Sequence, residues 1–259
     1  MTLTDASDSK PAKPVIREIT TEDVRAALSA GFADFRRAPM HGMFFGLIFS
    51  LIGIAIAYLF LVLGSSSWIL PLAAGFPLIG PFAAIGLYEI SRRLEAGEPL
   101  DWPGILGAVM RSGRTQLPSY AFVVLFIYMV WVYLAHLIFA LSFGISALTN
   151  VSSSFEILLT PNGIIMLLIG TVVGGAVAAL LFAISVISVP LMLDRDIDIV
   201  TAMVTSVQAV SKNLKPMVTW AAILAVASAV AMLPLFLGMV LVFPVLGHTS
   251  WHLYRRTIA

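Results

Sequence analysis

Histidines are the residues of this chain best suited to chemistry, and three of them fall at one level. His248 and His252 are four apart, which puts both on one helix face, and His41 stands where the first apolar run begins. Three imidazoles at one depth are a donor set for a transition-metal ion. The same residues, beside Trp251 and Tyr254, equally suit polar anchoring at a membrane surface. No carboxylate recurs with the pair in a known ligand spacing, so no metal or other cofactor is expected. His136 lies about 27 Å away along a helix rising 1.5 Å per residue, which excludes a haem held between it and the others.

Glu89 is the acid nearest to an intramembrane position. It precedes Arg92 and Arg93 by three and four residues, the spacing of local ion pairs on a helix. Coupled transporters usually bury an ionisable group at mid-depth, and the apolar runs contain none. Glycine and proline supply another signal. Gly75-Phe76-Pro77, followed by Gly80-Pro81, makes the second apolar run kinked or partly unwound, and Pro244 interrupts the last. Such breaks expose backbone groups to a ligand when they line a cavity, and otherwise serve helix packing. Gly42–Gly46 and Gly170–Gly174 have the small-xxx-small spacing that lets helices approach closely.

The arginine pairs Arg36-Arg37, Arg92-Arg93 and Arg255-Arg256 could form a girdle for anionic lipid headgroups. Ordinary flanking of membrane spans by basic residues accounts for the same positions. Nucleic acid is not an expected partner, because the basic residues are dispersed along the membrane plane. The absence of cysteine removes disulfides, thiolate metal sites and a cysteine nucleophile together.

The elements that must position these residues are apolar spans. Hydrophobic residues make up 59% and charged residues 11% of the chain, against roughly 45–50% and 25% in soluble domains. Mean hydropathy is +0.99, the value of a polytopic membrane protein. Spans are expected over about 41–63, 68–90, 118–143 and 163–193. The last apolar region, 217–245, is long for one span, and breaking it into two near Pro234 gives six. All fifteen Lys and Arg residues then fall on one side, which marks the cytoplasmic face and puts both termini there. No cleavable leader is expected, because about forty polar or amphipathic residues precede the first span.

Three apolar regions are each preceded by an amphipathic segment, a basic residue and a proline. Before Pro39 the stripe is Val24, Ala27, Leu28, Gly31, Phe32 and Phe35. Before Pro216 it is Val200, Met203, Val204, Val207, Val210 and Leu214, opposite Thr201, Thr205, Gln208, Lys212 and Lys215. The segment before Pro118 carries Ile105, Leu106, Val109, Met110 and Leu117, with Arg111 and Arg114 outward. Thr20 or Thr21, Asp101, and Asp196 or Asp198 are the start signals. Pro81 and Pro244 each precede an Arg-Arg pair by eleven residues, and Tyr88 aligns with Trp251. The fold expected is an all-α bundle of six spans with three cytoplasmic interfacial helices. It divides into three helix-plus-hairpin pseudo-repeats, about 20–95, 101–195 and 196–256, behind a disordered cytoplasmic tail over 1–19.

Val15-Ile16-Arg17-Glu18-Ile19, the helix ending Gly31-Phe32-Ala33-Asp34-Phe35 before Pro39, Phe76-Pro77-Leu78-Ile79-Gly80-Pro81, and Gly86 to Arg93 together resemble a known family. It is the bacterial integral membrane proteins catalogued as domain of unknown function 2189, and the resemblance extends over nearly the whole chain. It implies a bacterial inner-membrane location and brings no activity and no site residue. The function expected is a non-enzymatic accessory or scaffold component that packs against other membrane proteins and the lipid bilayer through its glycine-rich spans. The alternative is an uncoupled transporter or channel for a small or amphipathic molecule, built around Gly80, Pro81 and Pro244.

Overall fold

Caps and prolines set the element boundaries in the computed structural model, which describes residues 14–63, 69–112, 117–144 and 159–259, without the side chains of 59–63, 69–82 and 117. Helix α1 (Thr21–Arg37) opens on a capping box in which Thr20 Oγ1 accepts the Asp23 N–H and the Asp23 carboxylate accepts the Thr20 N–H. Pro39 opens α2 (Pro39–Leu63), followed by α3 (Ile69–Ala96). Asp101 caps α4 (Trp102–Ser112) by accepting the Gly104 N–H. Then come α5 (Leu117–Phe143) and α6 (Pro161–Ser185), the latter capped by Thr160. After α7 (Ser188–Asp194), Asp198 caps α8 (Ile199–Lys212) by accepting the Thr201 N–H. Last are α9 (Leu214–Met232) and α10 (Met239–Thr257). The start signals at Thr20, Asp101 and Asp198 thus do what short polar side chains do at helix N-termini.

Among the described residues, four stretches are long and apolar enough to cross a membrane: Pro39–Tyr58, Pro118–Phe143, Pro161–Asp194 and Leu214–Met232. The third joins α6 to α7 across a break at Val186–Ile187, where one continuous helix was expected. Pro190 has no N–H for the Val186 carbonyl, and the Ile187 N–H donates to Ser206 Oγ instead (3.1 Å). The apolar region 217–245 does divide near Pro234, at a turn over 233–238 with Leu235 and Phe236 at φ 50° and 64°. Positive φ is costly for such side chains. The turn is held by Ser50 Oγ, which donates to the Phe236 carbonyl (3.0 Å), and by Gly53, which leaves room for the Phe236 ring.

Helix α10 stands where the sixth span was expected. Its second half carries His248, Thr249, His252, Arg255 and Arg256, and it is not among the stretches apolar enough to cross a membrane. It is instead the central helix, packed against α1, α2, α3, α7 and α9, with Trp251, Leu253 and Tyr254 buried. Its neighbours enclose the polar groups, so they need not face hydrocarbon. Helix α2 reaches it through the expected glycines: Gly42 lies against Pro244, and Gly46 against the Val240 backbone. Helix α3 is unbroken through Pro71, Pro77 and Pro81, which corrects the partly unwound run.

Two further expectations change. On α8 the buried face is Ala202, Thr205, Ser206 and Ala209, while Val200, Val204 and Val207, and Leu214 at the start of α9, point outward. Small side chains let α8 approach the α6–α7 break, where Ser206 Oγ also donates to the Ala183 carbonyl (2.7 Å). The tail expected over 1–19 is extended and docked from Pro14 onward. Ile16 and Ile258 form an antiparallel bridge, and Asn213 binds both the Ile19 N–H and the Arg17 carbonyl. Residues 1–13 lie outside the described residues.

Candidate functional site

Polar chemistry concentrates where the C-terminal ends of α1, α3, α7 and α10 converge. The histidine set does not assemble there as a ligand triad. His41 stacks on Trp102 with centroids 4.5 Å apart. His252 Nε2 donates to Asp34 Oδ2 (2.7 Å), and His248 Nδ1 lies 2.8 Å from Ser91 Oγ. Among the described residues no three His, Cys, Asp or Glu side chains come together to hold a metal ion. The i, i+4 spacing aligned the pair on one helix, but each ring found a different partner helix.

Asp34 and Ser91 are the polar residues that sequence reading missed. Asp34 lies on the apolar face of α1 and is only 5% exposed. Burial opposes its charge, but the hydrogen bonds from His252 and Ser91 and the nearby imidazoles outweigh it, holding the carboxyl below the usual carboxylate range. An acid in the middle of an amphipathic stripe was the available signal. The stripe packs on protein, as α1 lies along α10 with Gly31 directly against Thr249.

The arginine pairs are bound into separate clusters. Glu89, buried, takes Arg92 Nε at 2.8 Å and Arg93 Nε at 2.7 Å, as the spacing foretold. Arg92 continues to Glu98, and Arg93 to Asp101 and the Pro99 carbonyl. The Gly104 N–H lowers the Asp101 pKa further than its exposed site would, and Arg93 adds to this. Arg255 meets Glu95 and Asp194, and Arg256 meets Asp23. Arg37 lies 4.0 Å from Asp34, and Arg36 stands over the Phe32 ring. The six side chains of the expected girdle are thus divided among separate contacts within the chain. Tyr88 and Trp251, aligned in the sequence, stack at 6.4 Å.

Above this layer lies a cleft of about 360 Å³ between α9 on one side and α3, α5, α6 and α10 on the other. Its far end is apolar, with Phe49, Met232, Met239 and Phe243. Four hydroxyls lie at the end nearer the charges, on Tyr88, Tyr120, Ser185 and Ser250, and Ser228 of α9 adds a fifth one turn from Met232. Among the four, Tyr120 Oη donates to Ser185 Oγ (2.8 Å). An apolar cavity with a few convergent polar groups is the usual form of a small-molecule site. Pro244, buried against Gly42, belongs to the α2 seam and not to the cleft. The side chains around Gly80 and Pro81 lie outside the described residues.

The chain matches the family model described as "Predicted integral membrane protein (DUF2189)" over residues 69–194. The family resemblance read from the sequence is thus shown for Phe76–Pro81 and Gly86–Arg93, while the matched range leaves out the N-terminal residues that also suggested it. No curated protein and no solved structure matches the chain.

Proposed function

We propose that this DUF2189-like integral membrane protein is a non-enzymatic binding protein, a carrier or channel component, that holds an amphipathic molecule in the cleft beside α9. The observation that carries this reading is the grading of the cleft wall from methionine and phenylalanine at one end to hydroxyls at the other. A molecule with an apolar body and a polar end matches that order. The reading takes transport, if any, as uncoupled, since the buried Asp34 and Glu89 both lie at the charged end and not at mid-depth.

The placement that goes with it is six spans in a bacterial inner membrane, with α3 and α10 as shielded inner helices and both termini cytoplasmic. Three pseudo-repeats account for the packing order. Each amphipathic helix lies on the closing helix of another unit: α1 on α10, α4 on α3, and α8 on α6–α7. The opening spans follow suit, with α2 against α10 and α5 against α3. By that order α9 belongs against α6, and the cleft occupies that seam. A molecule filling it would complete the ring.

A fluorescent single-chain fatty acid is the direct probe. It should bind the purified protein saturably, and Ser228→Phe, which fills the cleft from α9, should abolish that binding. Absence of saturable binding to the unmutated protein would end this reading. A second reading, the accessory or scaffold component, draws on α6. A side chain at Gly170 or Gly175 would meet nothing among the described residues, which leaves a close-approach face open to another membrane helix. Replacing both with Leu should break such a complex on a native gel, whereas Gly174 already packs on Trp131 within the chain.

A further inference from the structure

We infer that the cleft selects an uncharged single-chain amphiphile whose polar end donates a hydrogen bond, a lipid ending in a hydroxyl, with Tyr120 Oη as its acceptor. This inference rests on the cleft reading above. Among the described residues that line the cleft there is no Asp, Glu, Lys, Arg or His, and its ionisable members are Tyr88 and Tyr120. Glu89, the residue after Tyr88, is engaged by Arg92 and Arg93. An ion seated against such a wall would lose its water and meet no counter-charge, so the head that fits is neutral. At about 30 Å³ for each water-sized group, the cleft of about 360 Å³ holds roughly a dozen, enough for one chain.

The direction of the head's hydrogen bond follows from where the wall sends its own protons. Ser185 Oγ donates to the Leu181 carbonyl, which can only accept. Its oxygen therefore receives the Tyr120 proton across the 2.8 Å contact between them. Ser250 Oγ likewise donates to the Leu246 carbonyl (2.9 Å), which leaves its oxygen to receive from Tyr88 beside it. Both chains begin at a phenol and end on backbone. Each phenol has given its proton and keeps lone pairs, and no described residue donates to Tyr120. The polar end of the cleft thus offers acceptors. Ser228, midway along the α9 wall, has no hydrogen-bond partner among the described residues and can turn its proton either way, so it selects nothing. An ether, ester or ketone would set lone pairs against lone pairs, and a carboxylate would add a charge. An alcohol brings the missing proton, and a fatty acid fits when it carries its own.

The test is displacement of the fluorescent fatty acid from the full chain in detergent by three ligands of one chain length: a primary alcohol, its methyl ether and the primary amine. The alcohol should displace the probe at about tenfold lower concentration than the ether, the worth of one hydrogen bond. It should also outdo the amine, which donates but is charged at neutral pH. Tyr120→Phe should bring alcohol and ether within about twofold of one another while still binding the probe. Ser185→Ala should narrow the gap from the other side, by improving the ether, because the Tyr120 proton is then free to donate. An ether as potent as the alcohol, or an amine more potent than it, would overturn the inference in the unmutated protein and leave the cleft reading standing. A preference for the alcohol that survives Tyr120→Phe would overturn Tyr120 as the acceptor. Failure of the probe itself to bind would remove the cleft reading, and the inference with it.

Discussion

Asp34 shows how one polar residue can organise three helices. On α1, it accepts from His252 on α10, while Ser91 of α3 joins it to His248 of α10. Its depressed pKa makes the carboxylate form part of the native state. That stabilisation is complete above the unfolded carboxyl pKa of about 3.9 and disappears as the pH falls through the lower folded value. Asp34→Asn should therefore cost about 2 kcal/mol at neutral pH, in the range of hydrogen bonds to charged groups. Thermal melts of the two proteins should converge as the pH drops below about 4. An unchanged gap at acid pH would mean that shape, and not charge, makes Asp34 matter.

At the scale of elements, the amphipathic helices share a start and differ in what they bury. Each begins with a side-chain cap, at Thr20, Asp101 or Asp198. Helix α1 spends its stripe on α10, whereas α8 buries its small residues and turns Val200, Val204 and Val207 outward. An outward valine stripe beside Lys212 suits a helix lying in the headgroup layer. The seam between α1 and α10 depends on Gly31, because a Cβ there would fall inside Thr249. Gly31→Ala should cost about 1–3 kcal/mol through overpacking. It should also expose residues 14–20 to protease, because Arg17 and Val15 are tied to Thr257 and Ala259 just beyond the seam. Protection equal to the unmutated protein would show that the terminal bridge holds without α1.

Among the described residues, one end of the whole molecule carries the charges and the other carries none. The described basic residues lie on α1, α4 and α8, beside them, or at the helix ends that meet them, while the turn at 233–238 carries none. The absence of cysteine makes single-cysteine reporters clean. If the charged end is cytoplasmic, Glu18→Cys should react with an impermeant maleimide only in inside-out vesicles, and Leu237→Cys only in right-side-out ones. Both positions are exposed. Labelling of both from one side would rule out α10 as a sixth span.

The sequence by itself determined the class, the helix starts, the Glu89–Arg92–Arg93 pairing and the break near Pro234. These depend on local hydropathy, on caps within three residues and on spacings along one helix. Only the tertiary structure decided that His41, His248 and His252 part company, that α8 presents its valines outward, and that α10 becomes the polar centre. It also decided that an uncovered seam beside α9 forms a cleft. Those outcomes depend on which helix lies opposite which, and residues such as Asp34 and His252, 218 positions apart, carry no mark of that partnership in their own neighbourhoods.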